Sequence, residues 1–363
     1  MDLGDPGLVD SLLSEVKRDL DRQGTAKNRD ELLFHLIEAV AEAGAFDFAR
    51  AYVSKVDDPW NSAVAAGEVV KFLPIHGRGS DAVKVVRNSP PGRPQEILSA
   101  RAAEGFSLAG DLRTAMSYLR SLAGRGVDTR PHWVNVEPRL ALAEVSVKLG
   151  DEQVLRELLN EVNAGRGNPY ESAMVQLVAA ADSFKKGRVN WTASLLNEAL
   201  RLSSELSAPE AKLHSAAVSE RVAARLGFEG HRQRAGEIYQ DTLRRAAKSE
   251  QDFDRALLHT SRAMASFGDH SGALATLQRI VDPNQQTLAR ICVTHLMAML
   301  GAPNWESSLG TALRQARSLR DPLQRGSRLA NIMGLIAGYQ WRRIVIPCGL
   351  TSIVSVFQPS AGT

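Results

Sequence analysis

The sequence predicts an all-α fold, a right-handed α-solenoid of stacked helix-turn-helix repeats. Three observations predict it: a helix-favouring composition, glycines recurring at a near-constant interval, and apolar residues at helical spacing between them. The 363 residues are rich in Ala, Leu and Arg and only 6% aromatic, a mixture that suits helices. At 44% apolar content the chain has ample material for a core, and its balanced charge argues against wholesale disorder. Cys292 and Cys348 are too few for a disulfide scaffold and carry no metal-ligand spacing, which suits a reducing cytoplasm. The opening Met1-Asp2-Leu3-Gly4-Asp5-Pro6 lacks the features of a signal peptide. No apolar run reaches the roughly 20 residues that span a bilayer. The expectation is a cytoplasmic protein without a membrane partner.

The repeat is set out by glycines that close apolar-periodic stretches: Gly44, Gly77, Gly110, Gly150, Gly187, Gly227, Gly268, Gly301 and Gly338, at steps of 33 to 41 residues. Ala49, Ala82, Ala115 and Ala273 stand five residues after such a glycine, Ala193 stands six after Gly187, and Ala235 stands five after Gly230. A small residue at a fixed offset past a turn lets two helices cross closely. Between the turns run helical stripes such as Leu32, Leu33, Leu36, Ile37 and Val40, or Leu155, Leu158, Leu159 and Val162. Asp58-Pro59, Asp282-Pro283 and Asp321-Pro322 each place a side-chain acceptor before a proline at the first helical position. Asn168-Pro169-Tyr170-Glu171 and Ser207-Ala208-Pro209-Glu210 have capping-box spacing, with the glutamate expected to reach back to the cap amide. No hairpin of this kind buries its apolar face alone, so the chain is read as one stacked array. Its expected parts are a capping helix in residues 1–28, about eight repeats over 29–340, and an irregular apolar tail over 341–363. The prolines around Ser89–Pro94 and the stretch Gly124–Val136 are expected loops. The tail, rich in β-branched residues from Ile344 to Phe357, reads as a covering strand, a pairing edge, or an altered or truncated terminus.

Gly110-Asp111 with Ala115, and Gly268-Asp269 with Ala273, resemble the turn of the tetratricopeptide repeat, in which Gly-Asp is followed five residues on by a helix-packing alanine. The Asp-Pro that opens the next unit is also similar to that family. Longer, irregular repeats of this kind resemble those of bacterial signalling proteins. The resemblance implies partner binding on a superhelical surface rather than catalysis.

Motifs that suggest chemistry have simpler explanations. Gly77-Arg78-Gly79-Ser80-Asp81-Ala82 fits a dinucleotide-binding G-x-G-x-x-A, but that motif requires a strand before it and a βαβ unit around it. Gly77 stands 33 residues from Gly44 and from Gly110, so it reads as a repeat turn. Gly268-Asp269-His270-Ser271-Gly272 gathers Ser, His and Asp, yet adjacent residues do not form a triad. Asp269 or Ser271 is the expected cap of the following helix. The histidines His35, His76, His132, His214, His231, His259, His270 and His295 include no pair at i, i+4, and read as scattered surface or partly buried side chains. No catalytic residue, cofactor site or metal site is expected.

Charge is distributed unevenly. Residues 1–60 hold 13 acids and 7 bases, whereas residues 221–343 hold 18 bases and 10 acids. The basic end supplies the candidate partner-binding residues Arg232, Arg234, Arg244, Arg245, Arg314, Arg317, Arg325 and Arg328. Arg314 and Arg317 are spaced to share a helix face, as are Arg325 and Arg328. Such arginines grip nucleic-acid phosphates, an acidic peptide, or the acidic N-terminal end of a second copy; a solvated arginine-rich face is the plain alternative. Few aromatics are interleaved, and Trp305 and Trp341 read as packing residues. Two readings follow. The first is a non-catalytic interaction scaffold or sensor that receives a peptide or partner domain on its concave face. The alternative is a nucleic-acid-binding α-solenoid using the arginine-rich half. An enzyme on stacked helices is the third, and needs polar groups converging from distant repeats.

Overall fold

A computed structural model describes residues 6–123, 138–165 and 168–340, and every regular element among them is an α-helix. In chain order these are α1 (Pro6–Asp21), α2 (Ala26–Glu42), α3 (Phe46–Val53), α4 (Pro59–Ile75), α5 (Gly79–Asn88), α6 (Arg93–Leu108), α7 (Leu112–Ala123), α8 (Pro138–Leu149), α9 (Glu152–Asn163), α10 (Pro169–Lys185), α11 (Val189–Glu205), α12 (Pro209–Arg225), α13 (Glu229–Ala246), α14 (Glu250–Ser266), α15 (His270–Leu277), α16 (Pro283–Met299), α17 (Trp305–Ser318) and α18 (Pro322–Gln340). The chain is an all-α solenoid in which even-numbered helices open hairpins and odd-numbered ones close them. The expected Gly124–Val136 loop and the 341–363 tail lie outside the described residues.

The glycine spacing has a backbone cause. Gly44, Gly77, Gly110, Gly150, Gly187, Gly227, Gly268 and Gly301 all take left-handed φ values between +64° and +86°. Each ends the first helix of a hairpin where a side chain would meet its own carbonyl. Gly338 departs from the series, because α18 continues through it to Gln340. The alanines that follow the turns are sealed: Ala49, Ala82, Ala115, Ala235 and Ala273 are fully buried. After Gly187 the buried small residue is Thr192 rather than Ala193.

The predicted caps form at Asp58, Asp282 and Asp321, which accept from the amides of Asn61, Gln285 and Leu323 at 2.8, 2.6 and 3.0 Å. Asp269 caps α15 through Gly272 N–H at 3.0 Å. The two capping boxes differ from expectation. Asn168 caps α10, but Glu171 turns away to accept from Arg139 N–H at 2.7 Å, and Ala208 at the cap position of α12 supplies no side-chain bond. A related device uses buried aspartates on first helices. Asp30 accepts from the amides of Asp57 and Asp58, and Asp254 accepts from those of Val281 and Asp282. In each case a carboxylate holds the linker into the next hairpin, satisfying amides that the helix start leaves open.

The helices fall into two compact units, one made of residues 6–123 and 290–340 and the other of residues 138–289. In the first, α2, α4 and α6 stack in sequence, with α3, α5 and α7 as their hairpin partners. Helix α18 packs along α2, and α1 packs against α18. The helix expected to cap the array thus lies beside α18, the last described helix. Small residues allow it: Gly326, Ala330 and Gly334 repeat every four positions on α18. A Cβ on Gly326 would stand 2.9 Å from a Leu32 methyl, and one on Gly334 3.4 Å from Ala39 Cα. In the second unit α8, α10, α12 and α14 stack in the same way, with α9, α11, α13 and α15 closing the hairpins.

Candidate functional site

The first helices of the hairpins bury polar groups along most of their length, and α10 is buried without a break from Glu171 to Ser183. In the first unit this creates a charged cluster between α4 and α6. Glu68 and Lys71 lie one turn apart on α4, and Arg101 and Glu104 repeat that spacing on α6. Lys71 Nζ meets Glu104 Oε1 at 3.0 Å, while Arg101 reaches Glu68 at 2.6 Å and Glu104 at 2.7 Å. The helices come this close because residue 105 is glycine: a Cβ there would stand 2.1 Å from the Lys71 carbonyl oxygen. Burial opposes ionisation of Glu104, but the Lys71 ammonium and the Arg101 guanidinium prevail and hold its carboxyl down to about 2. Burial likewise works against the Lys71 charge, and Glu104 and Glu68 prevail to push its ammonium up. Neither group is poised near neutrality for proton transfer, so the cluster is a joint between helices.

In the second unit Tyr170, His214 and His259 come together from α10, α12 and α14, although nothing in their sequence spacing pairs them. Burial, then the neighbouring His259, holds the His214 ring far below the usual histidine range. The Tyr170 hydroxyl and His214 Nδ1 share a hydrogen bond of 2.6 Å, and the His214 and His259 ring centroids are 5.9 Å apart. His259 is held down to about 3 by burial and by Arg262. No group of three potential metal ligands occurs among the described residues.

The predicted arginines separate into two places. On α13, Arg232 bonds Glu229 at 3.1 Å and Arg244 and Arg245 both face Asp241, so three of them are occupied on their own helix. Arg234 makes no ion pair among the described residues. On α17, Arg314 donates to Thr311. Arg317 reaches α1 and grips Glu15 at 2.6 and 3.2 Å. On α18, Arg325 grips Asp19 of α1 at 2.5 and 2.9 Å, whereas Arg328 is buried beside His35. Arg325 and Arg328 therefore do not share an exposed face. The acidic N-terminal end does meet the basic end, as their charges suggest, but within one chain. A cleft of about 350 Å3 opens there, with Arg18 and Arg22 of α1 beside Arg317 and Arg325.

Arg234 belongs instead to a groove of about 570 Å3 in the second unit, formed by α9, α10, α11 and α13. Its floor holds Gln176, 1% exposed, which donates from Nε2 to Asn163 Oδ1 at 2.9 Å while its own Oε1 has no donor among the described residues. Trp191 lies half-buried on one side, with the Arg188 guanidinium 5.7 Å from its ring centroid. Asn197 adds an amide and Arg234 a cation. Arg201 is clamped between Glu198 and Glu205 by bonds of 2.6 to 2.9 Å. The groove thus brings together amide donors and acceptors, an aromatic face and the guanidinium of Arg234, which has no ion-pair partner among the described residues. Sequence reasoning singled out Arg234 but not Trp191, Asn163 or Gln176, which become neighbours only when α9, α10 and α11 fold together.

No protein-family model matches the chain, and no curated protein matches it. Among solved structures, the crystal structure of Ton1535 from Thermococcus onnurineus NA1 is similar at 13% identity and a TM-score of 0.31, with 90% of this chain and 99% of that chain covered. That likeness is too slight to bear on fold or function. No helix among the described residues is long and apolar enough to cross a membrane.

Proposed function

We propose that the protein is a non-catalytic interaction module that binds an extended, acidic segment of a partner protein in the Trp191 groove. The observation that carries this reading is the Gln176 carbonyl, buried on the groove floor with no donor among the described residues. An unpaired buried acceptor of this kind costs about 1–3 kcal/mol, and a peptide N–H would satisfy it. Asn163 and Asn197 offer both a donor and an acceptor, which matches the alternating N–H and C=O of an extended backbone. Trp191 supplies the apolar anchor typical of peptide hot spots, and Arg234 complements an acidic side chain. The tetratricopeptide-like turns are in keeping with this role.

The test is a random library of short peptides screened against the whole chain, with wild type compared with Trp191→Ala and Arg234→Ala. Selected peptides should be acidic and should bind Trp191→Ala about tenfold or more weakly. An oligonucleotide control separates the nucleic-acid alternative, which would show a steep loss of affinity with salt. Failure to select any peptide, or equal binding by wild type and both variants, refutes the proposal.

A further inference from the structure

We propose a second site, independent of the Trp191 groove: the cleft where α1 meets α17 and α18 binds a small phosphate-bearing anion that ties the two ends of the chain together. Four guanidinium groups and two carboxylates line it, namely Arg18, Arg22, Arg317, Arg325, Glu15 and Asp19. Both carboxylates are already engaged. Glu15 is gripped by Arg317, and Asp19, 2% exposed, is gripped by Arg325. Facing an anion they would repel it, yet the cleft keeps two positive charges in excess, which match a phosphate dianion.

The two halves of the site are prepared differently. Arg325 is fixed by Asp19 and by a bond to the Leu319 carbonyl at 3.1 Å. Arg317 uses Nε and one terminal nitrogen on Glu15, and its other terminal nitrogen has no partner among the described residues. These two forks are held in place before a ligand arrives, which lowers the ordering cost of binding. The α1 arginines are freer. Arg22 keeps only a 3.6 Å approach to Asp19 with its side chain 62% exposed, and Arg18 makes no ion pair among the described residues. Guanidinium groups present paired N–H donors at the spacing of phosphate oxygens. A phosphate in the cleft would therefore recruit Arg18 and Arg22 from α1 while touching Arg317 of α17. The ligand thus spans the junction and stabilises it. The cleft volume of about 350 Å3 suits a diphosphate.

The experiment uses the full chain at constant ionic strength, titrated with inorganic pyrophosphate and, separately, with ADP. Calorimetry gives affinity, thermal unfolding gives stability, and hydrogen exchange follows α1. Saturating pyrophosphate should raise the melting temperature by several degrees and slow exchange in residues 6–21. The Arg18→Ala/Arg22→Ala double variant, whose changes are confined to exposed side chains, should unfold at the wild-type urea midpoint without ligand and bind about tenfold or more weakly. Equal affinity for pyrophosphate and ADP identifies a free polyphosphate, and tighter ADP binding identifies a nucleotide; either supports the site. Absence of binding, or the same thermal shift in the double variant, overturns it, since the effect would then be a general salt response.

Discussion

Protonation of His35 gives the most direct test of the packing at the chain ends. His35 lies on α2 facing α18, 3.5 Å from the Asn331 amide and edge-on to Phe34. Burial first, and then the Arg328 guanidinium, hold its ring down to about 3 from an ordinary 6.5. A histidine kept neutral in the fold is easier to protonate when unfolded, so its effect on stability is absent above about pH 7. Stability is then lost as pH falls from 6.5 towards 3. At pH 5 the free-energy difference from this one group is about 2 kcal/mol, and it levels off near 5 kcal/mol below about pH 3. The pH 5 figure depends almost wholly on the unfolded value, so any folded value well below 5 gives the same result. The assay is urea unfolding at about pH 8 and pH 5, followed by fluorescence, for wild type and for His35→Gln. His214 and His259 contribute equally to both proteins and cancel. The variant should lose about 2 kcal/mol less than wild type between the two pH values. An identical pH dependence in both would refute the burial argument.

Three further perturbations probe other joints. Gly105→Ala should destabilise by about 3 kcal/mol or more in chemical unfolding, because the new methyl meets the Lys71 carbonyl at 2.1 Å and backbone must move. Helix propensity alone would give a gain of about 1 kcal/mol, so the sign decides. Lys71→Met should cost about 3–5 kcal/mol by leaving Glu104 and Glu68 to Arg101 alone. Adding Glu104→Gln should restore part of that in a double-mutant cycle, and strict additivity would contradict the cluster geometry. Asp254→Ala should cost about 2–4 kcal/mol through two stranded amides, Val281 and Asp282. Faster hydrogen exchange at those two amides would localise the loss, and unchanged exchange would count against the tether.

The fold was legible where a local rule had a local cause. A left-handed turn strongly favours glycine whatever surrounds it, so eight glycines marked eight hairpins, and the Asp-Pro steps marked helix starts for equally local reasons. Gly338 misled because small residues serve two purposes. On α18 the series Gly326, Ala330 and Gly334 serves close packing against α2, and Gly338 continues that spacing inside the same helix. Glu171 misled in a different way. Its capping position was correct, but the Arg139 amide and guanidinium from α8 compete successfully for the carboxylate. The candidate sites were far less legible, since Trp191, Gln176 and Asn163 stand on three helices and carry no shared motif. The charge imbalance was visible as a property of the two ends, but its meaning depended on whether they met in one chain or in two.

That meeting explains why so many polar groups collect around α1, α2 and α18. In a linear stack each hairpin is covalently continuous, and only its apolar stripe must match the next. The joint of α17 and α18 with α1 joins residues 302 and 306 positions apart, with no turn to set its register. Apolar packing is tolerant of sliding along a helix, whereas paired arginine–carboxylate forks are not. Arg317 on Glu15 and Arg325 on Asp19, one helical turn apart on α1, define a single alignment, and the small face of α18 then permits the close approach. The same residues leave Arg18 and Arg22 directed at a cleft with excess positive charge. The chemistry that sets the register of the joint is thus the chemistry through which an anion would stabilise it.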